Sequence, residues 1–368
     1  MLVLFTGVIP ASAIVGCGAS ITTDITLTHD LTCSGTGLVI GADGITVDLD
    51  GFTLTNIPIV AASNGVDNTG GFDGVTIENG AIIGFEQGIR AVGANELTLK
   101  DLTFSGQTSS HAIDILDSDD VTIEDSSITL APYSPIDTFG CLFGIIPGPE
   151  AIRLQNVDGF TVKDVDVDGG FIGVNFALDP NGGETNGVVE DSIFTDNFAG
   201  VLIADSSDAT VKDNEISGAC NGIKVGFGFS PPTPTGIKLS ENELSENIVG
   251  ISAFVFGQRT FDIEIKENDI RDNESDGILL LNVHDSKISE NVVEDNGANG
   301  IALFDSGLII ANELEENTAL GNGGGISPIL CLFFGLCGTF DMLHDVTSTN
   351  NWEENTCGTS SGADIDCP

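Results

Sequence analysis

Five residues share one position in a recurring tetrad and carry side chains able to grip a sugar. The tetrad reads Gly/Ala-Ile/Val-x-apolar, and its third residue is Arg90, Asp114, Arg153, Asn175 and, after Leu202, Lys224; Ser252 follows. A guanidinium can hold a carboxylate through two parallel hydrogen bonds, and a carboxylate beside it can act as a general base. Arg153 is the preferred anchor, because the longest insertion, Ser126–Glu150, lies just before it. Two more insertions, Leu178–Asn186 and Gly226–Gly236, follow Asn175 and Lys224. Tyr133, Phe139, Phe143, Phe227 and Phe229 within them offer rings for stacking on sugars. No motif singles out a catalytic residue.

A second group could bind a cation. Asp164, Asp166 and Asp168 alternate with Val165 and Val167, which puts the three carboxylates on one side. Hard oxygen ligands at close range suit Ca2+, so Ca2+ is an optional ligand and no cofactor is required. The four histidines and two methionines are scattered, which leaves no soft-ligand cluster.

These residues need a scaffold, and a repeat supplies it. The tetrad occurs twelve times between Gly37 and Gly325, about 26 residues apart on average. From the second copy on, a second unit follows: x-Thr-apolar-charged-acid-x-x-apolar, starting at Val75, Leu97, Val121, Phe160, Gly187, Ala209, Ile237, Ile263, Ser286 and Gly307. Both units alternate with period two, which marks short half-buried strands. Two or three such strands per step predict a solenoid whose turns stack about 4.8 Å apart. In-register stacking explains two further patterns. The sixth position of the second unit holds Asn214, Asn242, Asn268, Asn291 and Asn312, an internal asparagine ladder. The fourth reads Glu78, Lys100, Glu124, Lys163, Glu190, Lys212, with the sign alternating turn by turn. The fifth is acidic in eight consecutive turns, from Asp101 to Glu290, and the adjoining lysines, salt or a cation must relieve that repulsion.

Composition limits the partners. Fifty-six acidic residues against eleven basic ones give a formal charge of -45 in 368 residues. Such a surface repels phosphate backbones and anionic lipid, so no nucleic-acid partner is expected. No apolar run past the first residues has the roughly 20 positions of a membrane span. Leu2–Ile9 is apolar and Ala11-Ser12-Ala13 has a small-x-small form, so residues 1–13 read as a signal-peptide remnant cleaved after Ala13. Eight cysteines without a CxxC fit an oxidising compartment. Their spacing suggests pairs Cys17–Cys33, Cys331–Cys337 and Cys357–Cys367, leaving Cys141 and Cys220.

The stretch Cys17-Gly18-Ala19-Ser20-Ile21-Thr22 through Cys33-Ser34-Gly35-Thr36-Gly37-Leu38-Val39-Ile40, then Gly44-Ile45-Thr46-Val47-Asp48-Leu49-Asp50-Gly51, resembles secreted right-handed parallel β-helix proteins of the pectate-lyase-like superfamily with NosD-type repeats. The closing Asn351-Trp352-Glu353-Glu354-Asn355-Thr356-Cys357 is similar to the ends of such proteins. The resemblance implies an all-β, single-stranded right-handed parallel β-helix of about 12 turns with disulfide-stapled ends. It would allow polysaccharide lyase, hydrolase or epimerase activity, yet the Asn-Thr-Asp, Gly-Asp-Asp, Gly-His-Gly and Asp-Pro-His motifs of such enzymes are absent.

The expected organisation is a cap with the first turns over 14–64, repeats over 65–330 and a C-terminal cap over 331–368. The expected function is recognition, extending to modification, of a polysaccharide or cell-surface glycan by a secreted, cell-surface or periplasmic protein. The alternative is a non-catalytic structural or adhesin rod.

Overall fold

The computed structural model describes residues 15–57, 62–107, 110–132, 148–177, 186–226, 234–253, 260–304, 312–325, 327, 338, 340–344 and 350–361. Among them there is no helix, and hence none long and apolar enough to cross a membrane. The strands form a parallel β-helix with three faces. The first face begins at Ala19–Ile21 and pairs upward through Leu38–Ile40, Asn64–Asn68 and Gln87–Val92. It continues strand on strand to Met342–His344 and Ser360–Ser361, fourteen strands in one column. Eleven of the twelve tetrads lie in this column. The twelfth, at Gly325, sits in a bend, and Met342–His344 takes the expected place above Ile301–Phe304. The second face carries the Thr-rich units and the third the short strands after them, as in Thr98–Lys100 and Leu102–Ser105 of one continuous strand.

Alternation packs Val, Ile, Leu and Phe from all three faces into one continuous core, from Ile21 to Trp352. The tetrad glycine marks a tight corner. A Cβ on Gly88 would stand 2.4 Å from the carbonyl oxygen of Ala112 and 2.6 Å from the Phe104 ring. At this corner the chain places both the residue before the glycine and the third tetrad residue outside the core.

The charge ladder forms as expected. Lys100 pairs with Glu124 at 3.0 Å, and Glu190 with Lys163 at 3.1 Å and Lys212 at 2.7 Å. The acidic fifth position has a conformational cause. All eight members, Asp101 to Glu290, have φ between 50° and 58°. Among the described residues, 26 non-glycine positions have positive φ, and fourteen are Asp and seven Glu. Asp enters the left-handed region more readily than most residues, so much of the acidity follows from sharp corners stacked turn on turn. Lys100 and Lys163 also reach the corner carboxylates of Asp125 and Asp191, at 3.3 and 2.7 Å.

The asparagine ladder holds for four of its five expected members. Each Nδ2 donates to the next Oδ1, from Asn214 to Asn242 at 3.0 Å, then to Asn268 and Asn291 at 2.9 Å each. Asn291 then donates to Asn317, not Asn312, and Asn317 to Asn355. Asn312 stacks in a different line, between Ser286 and Asn350. Glu313 lies opposite Lys287, so this unit begins at Asn312 rather than Gly307. A second ladder runs five residues further along each turn, Asn247, Asn273, Asn296 and Asn322, closed by the Asp341 carboxylate.

One disulfide joins Cys17 and Cys33, 16 residues apart. Cys220 and Cys357 are also disulfide-bonded; Cys141, Cys331, Cys337 and Cys367, and residues 1–14, lie outside the described residues.

Candidate functional site

The outward line is in register. Arg90 lies opposite Asp67 and Asp114, Arg153 opposite Asp114 and Asn175, and Lys224 opposite Leu202 and Ser252. Its solvent exposure is not uniform, which corrects the expectation from alternation alone. Asp114, Asn175, Leu202, Lys224 and Ser252 are buried. Beyond Asn175 the outer side of the first face becomes a second apolar layer. Phe171, Ile172, Phe198, Ala199, Leu202 and Cys220 form one cluster there, with the Phe171 and Phe198 rings stacked 4.7 Å apart. Val249, Leu279, Leu281, Ala302 and Leu343 form another. Lys224 falls within this stretch, two strands past Asn175, and burial pushes its ammonium down to about 7. It is not part of the polar patch.

The patch itself gathers around Asp114. Its carboxylate has no exposed surface and accepts from Arg153 Nε at 2.7 Å and Gln87 Nε2 at 2.9 Å. Arg90 Nε stands 4.0 Å away and its guanidinium donates to Gln87 Oε1 at 3.3 Å. The Arg90 and Arg153 side chains remain 39% and 28% exposed and form the open part of the patch.

Three members escape sequence reasoning: Gln87, His111 and Glu150. Each directly precedes a tetrad, so the corner places it beside the third residues of its own and neighbouring strands. His111 Nδ1 lies 3.5 Å from Glu150 Oε2, and Glu150 accepts from Asn175 Nδ2 at 3.1 Å. Burial, then the nearby Arg153, push His111 down to about 4. Burial raises the Glu150 carboxyl above its ordinary range. A neutral imidazole beside a carboxyl that retains its proton more readily has the composition of an acid–base couple. The recoverable signal was the polar run at this one position, Asn64, Gln87, His111 and Glu150, before it turns apolar at Ile172.

Arg90 Nε, His111 Nδ1 and Asn175 Oδ1 are enclosed in the patch and make no hydrogen bond within the chain, a trait shared with Asn56 Oδ1, Gln107 Oε1 and Ser289 Oγ elsewhere and so not particular to this face.

The acidic triplet is arranged differently. Asp164 occupies a left-handed corner, while Asp166 and Asp168 are exposed on the third face, beyond buried Val165 and Val167. Among the described residues, no three His, Cys, Asp or Glu side chains are grouped so as to hold a metal ion. The aromatic residues of the insertions, Tyr133, Phe139, Phe143, Phe227 and Phe229, lie outside the described residues. Ser126–Thr129, counted above as the start of an insertion, continue the third-face strand opposite Val165–Asp168.

Solved structures share this architecture. The A-module of the mannuronan C-5 epimerase AlgE6 from Azotobacter vinelandii is 14% identical, with 94% of this chain and 91% of that one covered and a TM-score of 0.54. A periplasmic alginate epimerase, AlgG, is 10% identical over 92% of this chain and 78% of its own, at 0.51. A tailspike of E. coli bacteriophage HK620, solved with a pentasaccharide, is 9% identical at 0.55; 92% of this chain spans 65% of its length. At these identities the likeness is one of fold. No curated protein matches the sequence. The model of the right-handed β-helix region matches residues 64–233 and 226–329, and the chain belongs to that family.

Proposed function

We propose that this protein binds a polysaccharide on the outer side of its first face, over the strands from Asn64 to Ala177. The observation that carries the reading is the patch around Asp114. Two half-open arginines, a histidine and a glutamate converge there. A bare spacer has no use for two half-open arginines and a histidine–glutamate pair gathered on one face, and this weighs against the rod-only reading. Solved β-helices named as epimerases of mannuronan and alginate, and a tailspike solved with a pentasaccharide, support a saccharide as ligand. The His111–Glu150 couple gives the site a means of proton transfer, so modification of the bound chain is the extension of this function. The disulfide-bonded cysteines favour an extracellular or periplasmic location. Affinity electrophoresis against a broad set of polysaccharides tests the proposal. Retardation by at least one polymer is expected, and none by any would overturn it.

A further inference from the structure

Resting on the glycan reading, we infer that the ligand of this site is a neutral, hydroxyl-bearing polysaccharide rather than a uronate or sulfated one. Three observations carry the inference. The first is charge balance. Arg90 and Arg153 face Asp67, Asp114 and Glu150, so the patch is neutral with Glu150 protonated and carries one negative charge with it ionised. The expectation that Arg153 anchors an anionic sugar therefore loses its basis. The guanidinium is already engaged, through Nε, by a carboxylate with no exposed surface.

The second is the mixture of groups the patch presents. The half-open guanidiniums of Arg90 and Arg153 can only donate, while the part-exposed carboxyls of Asp67 and Glu150 beside them accept. A sugar hydroxyl donates and accepts at once, so it suits both kinds. A carboxylate or sulfate brings acceptors only and would face those carboxyls with lone pairs. The third is the field of the whole molecule. A formal charge of -45 opposes the approach of any polyanion, and the left-handed Asp117 and Asp120 lie on the turns of the patch itself.

The test compares matched polymers that differ only in charge. Polygalacturonate and alginate are offered beside their carboxyl-reduced forms, together with a neutral mannan, glucan and galactan, at low and at high NaCl. The expected result is binding of at least one neutral polymer about tenfold or more tighter than any uronate, with little change on adding salt. Tighter binding of a uronate, weakening as salt is added, overturns this inference and leaves the glycan function standing. Failure of every polymer to bind removes both.

Discussion

Arg153 and Asp114 face each other across adjacent strands, and the guanidinium Nε donates 2.7 Å to a carboxylate with no exposed surface. They lie 39 positions apart in sequence, a separation that holds a full turn of the solenoid and its longest insertion. Stacking of turns, and nothing local, brings the two together. A buried charge that loses its partner is costly. Arg153→Ala is therefore expected to destabilise the fold by about 3 kcal/mol, the low end for such a loss, because Gln87 still donates to Asp114. Urea denaturation checks this, and a loss below about 0.5 kcal/mol, the size of an ordinary surface substitution, would show that the pair is not enclosed.

The ladder makes a second prediction. Asn268 Oδ1 accepts from the backbone and side-chain amides of Asn242, and its own Nδ2 donates to Leu239, Lys266 and Asn291. Asn268→Ala orphans several of these at once, so a loss of about 2–4 kcal/mol is expected at the level of 1–3 kcal/mol per unsatisfied buried group. Asn351→Ala, whose side chain is exposed and bonded only to Glu353, is expected to cost less than about 0.5 kcal/mol.

The histidine couples stability to pH. His111 is held neutral in the fold to about pH 4, while the unfolded chain takes up a proton near 6.5. Between these values the unfolded state binds the extra proton, so stability falls as pH drops through 6.5 toward 4. A shift of this size corresponds to about 3 kcal/mol at full extent. Glu150 acts in the opposite sense. Its raised folded value means its contribution is present at low pH and is lost as pH rises through that value. His111→Asn is expected to flatten the slope between pH 6.5 and 4, as read from chemical denaturation at each pH. An unchanged slope would contradict the burial of the imidazole.

Salt supplies a fourth prediction. Stacked corner carboxylates stand about 5 Å apart along the axis, and only some meet a lysine. Screening shortens the range of their repulsion from about 10 Å at 0.1 M to about 3 Å at 1 M. The melting temperature is expected to rise between those conditions. A constant or falling value would mean that the lysine pairs already neutralise the rows.

Much of this architecture was legible in the sequence. Tetrad spacing, the Glu78–Lys212 sign alternation and Asn214–Asn291 all required in-register turns, and the strands pair as those rows demanded. The error at Asn312 has a simple origin. Its true unit, Asn312-Glu313-Leu314-Glu315-Glu316-Asn317, has asparagine at both the first and sixth positions, and both are buried. The site was half visible. Period two found Arg90, Asp114, Arg153 and Asn175, but it assumes a straight strand. The corner at the first tetrad residue, Gly88, Ala112 or Ala151, breaks that alternation and turns Gln87, His111 and Glu150 outward as well. Burial of Lys224 was hidden for another reason. Whether an outward residue meets solvent or a second layer depends on what packs outside the solenoid, and a repeat pattern describes only what lies within it.

The most direct test of the site is polysaccharide binding by three proteins: the unaltered chain, Arg90→Ala and Lys287→Ala. Arg90 is half-open and its removal leaves Asp114 paired with Arg153, so folding is preserved. Lys287 lies on the second face, paired with Glu315 at 2.8 Å, and serves as the control. With a polymer that binds the unaltered chain, Arg90→Ala is expected to weaken affinity about tenfold, the 1.4 kcal/mol of one charge-assisted hydrogen bond. Lys287→Ala is expected to stay within about twofold, under 0.5 kcal/mol. Equal losses in both variants, or no loss in Arg90→Ala, would contradict a binding site on the outer side of the first face.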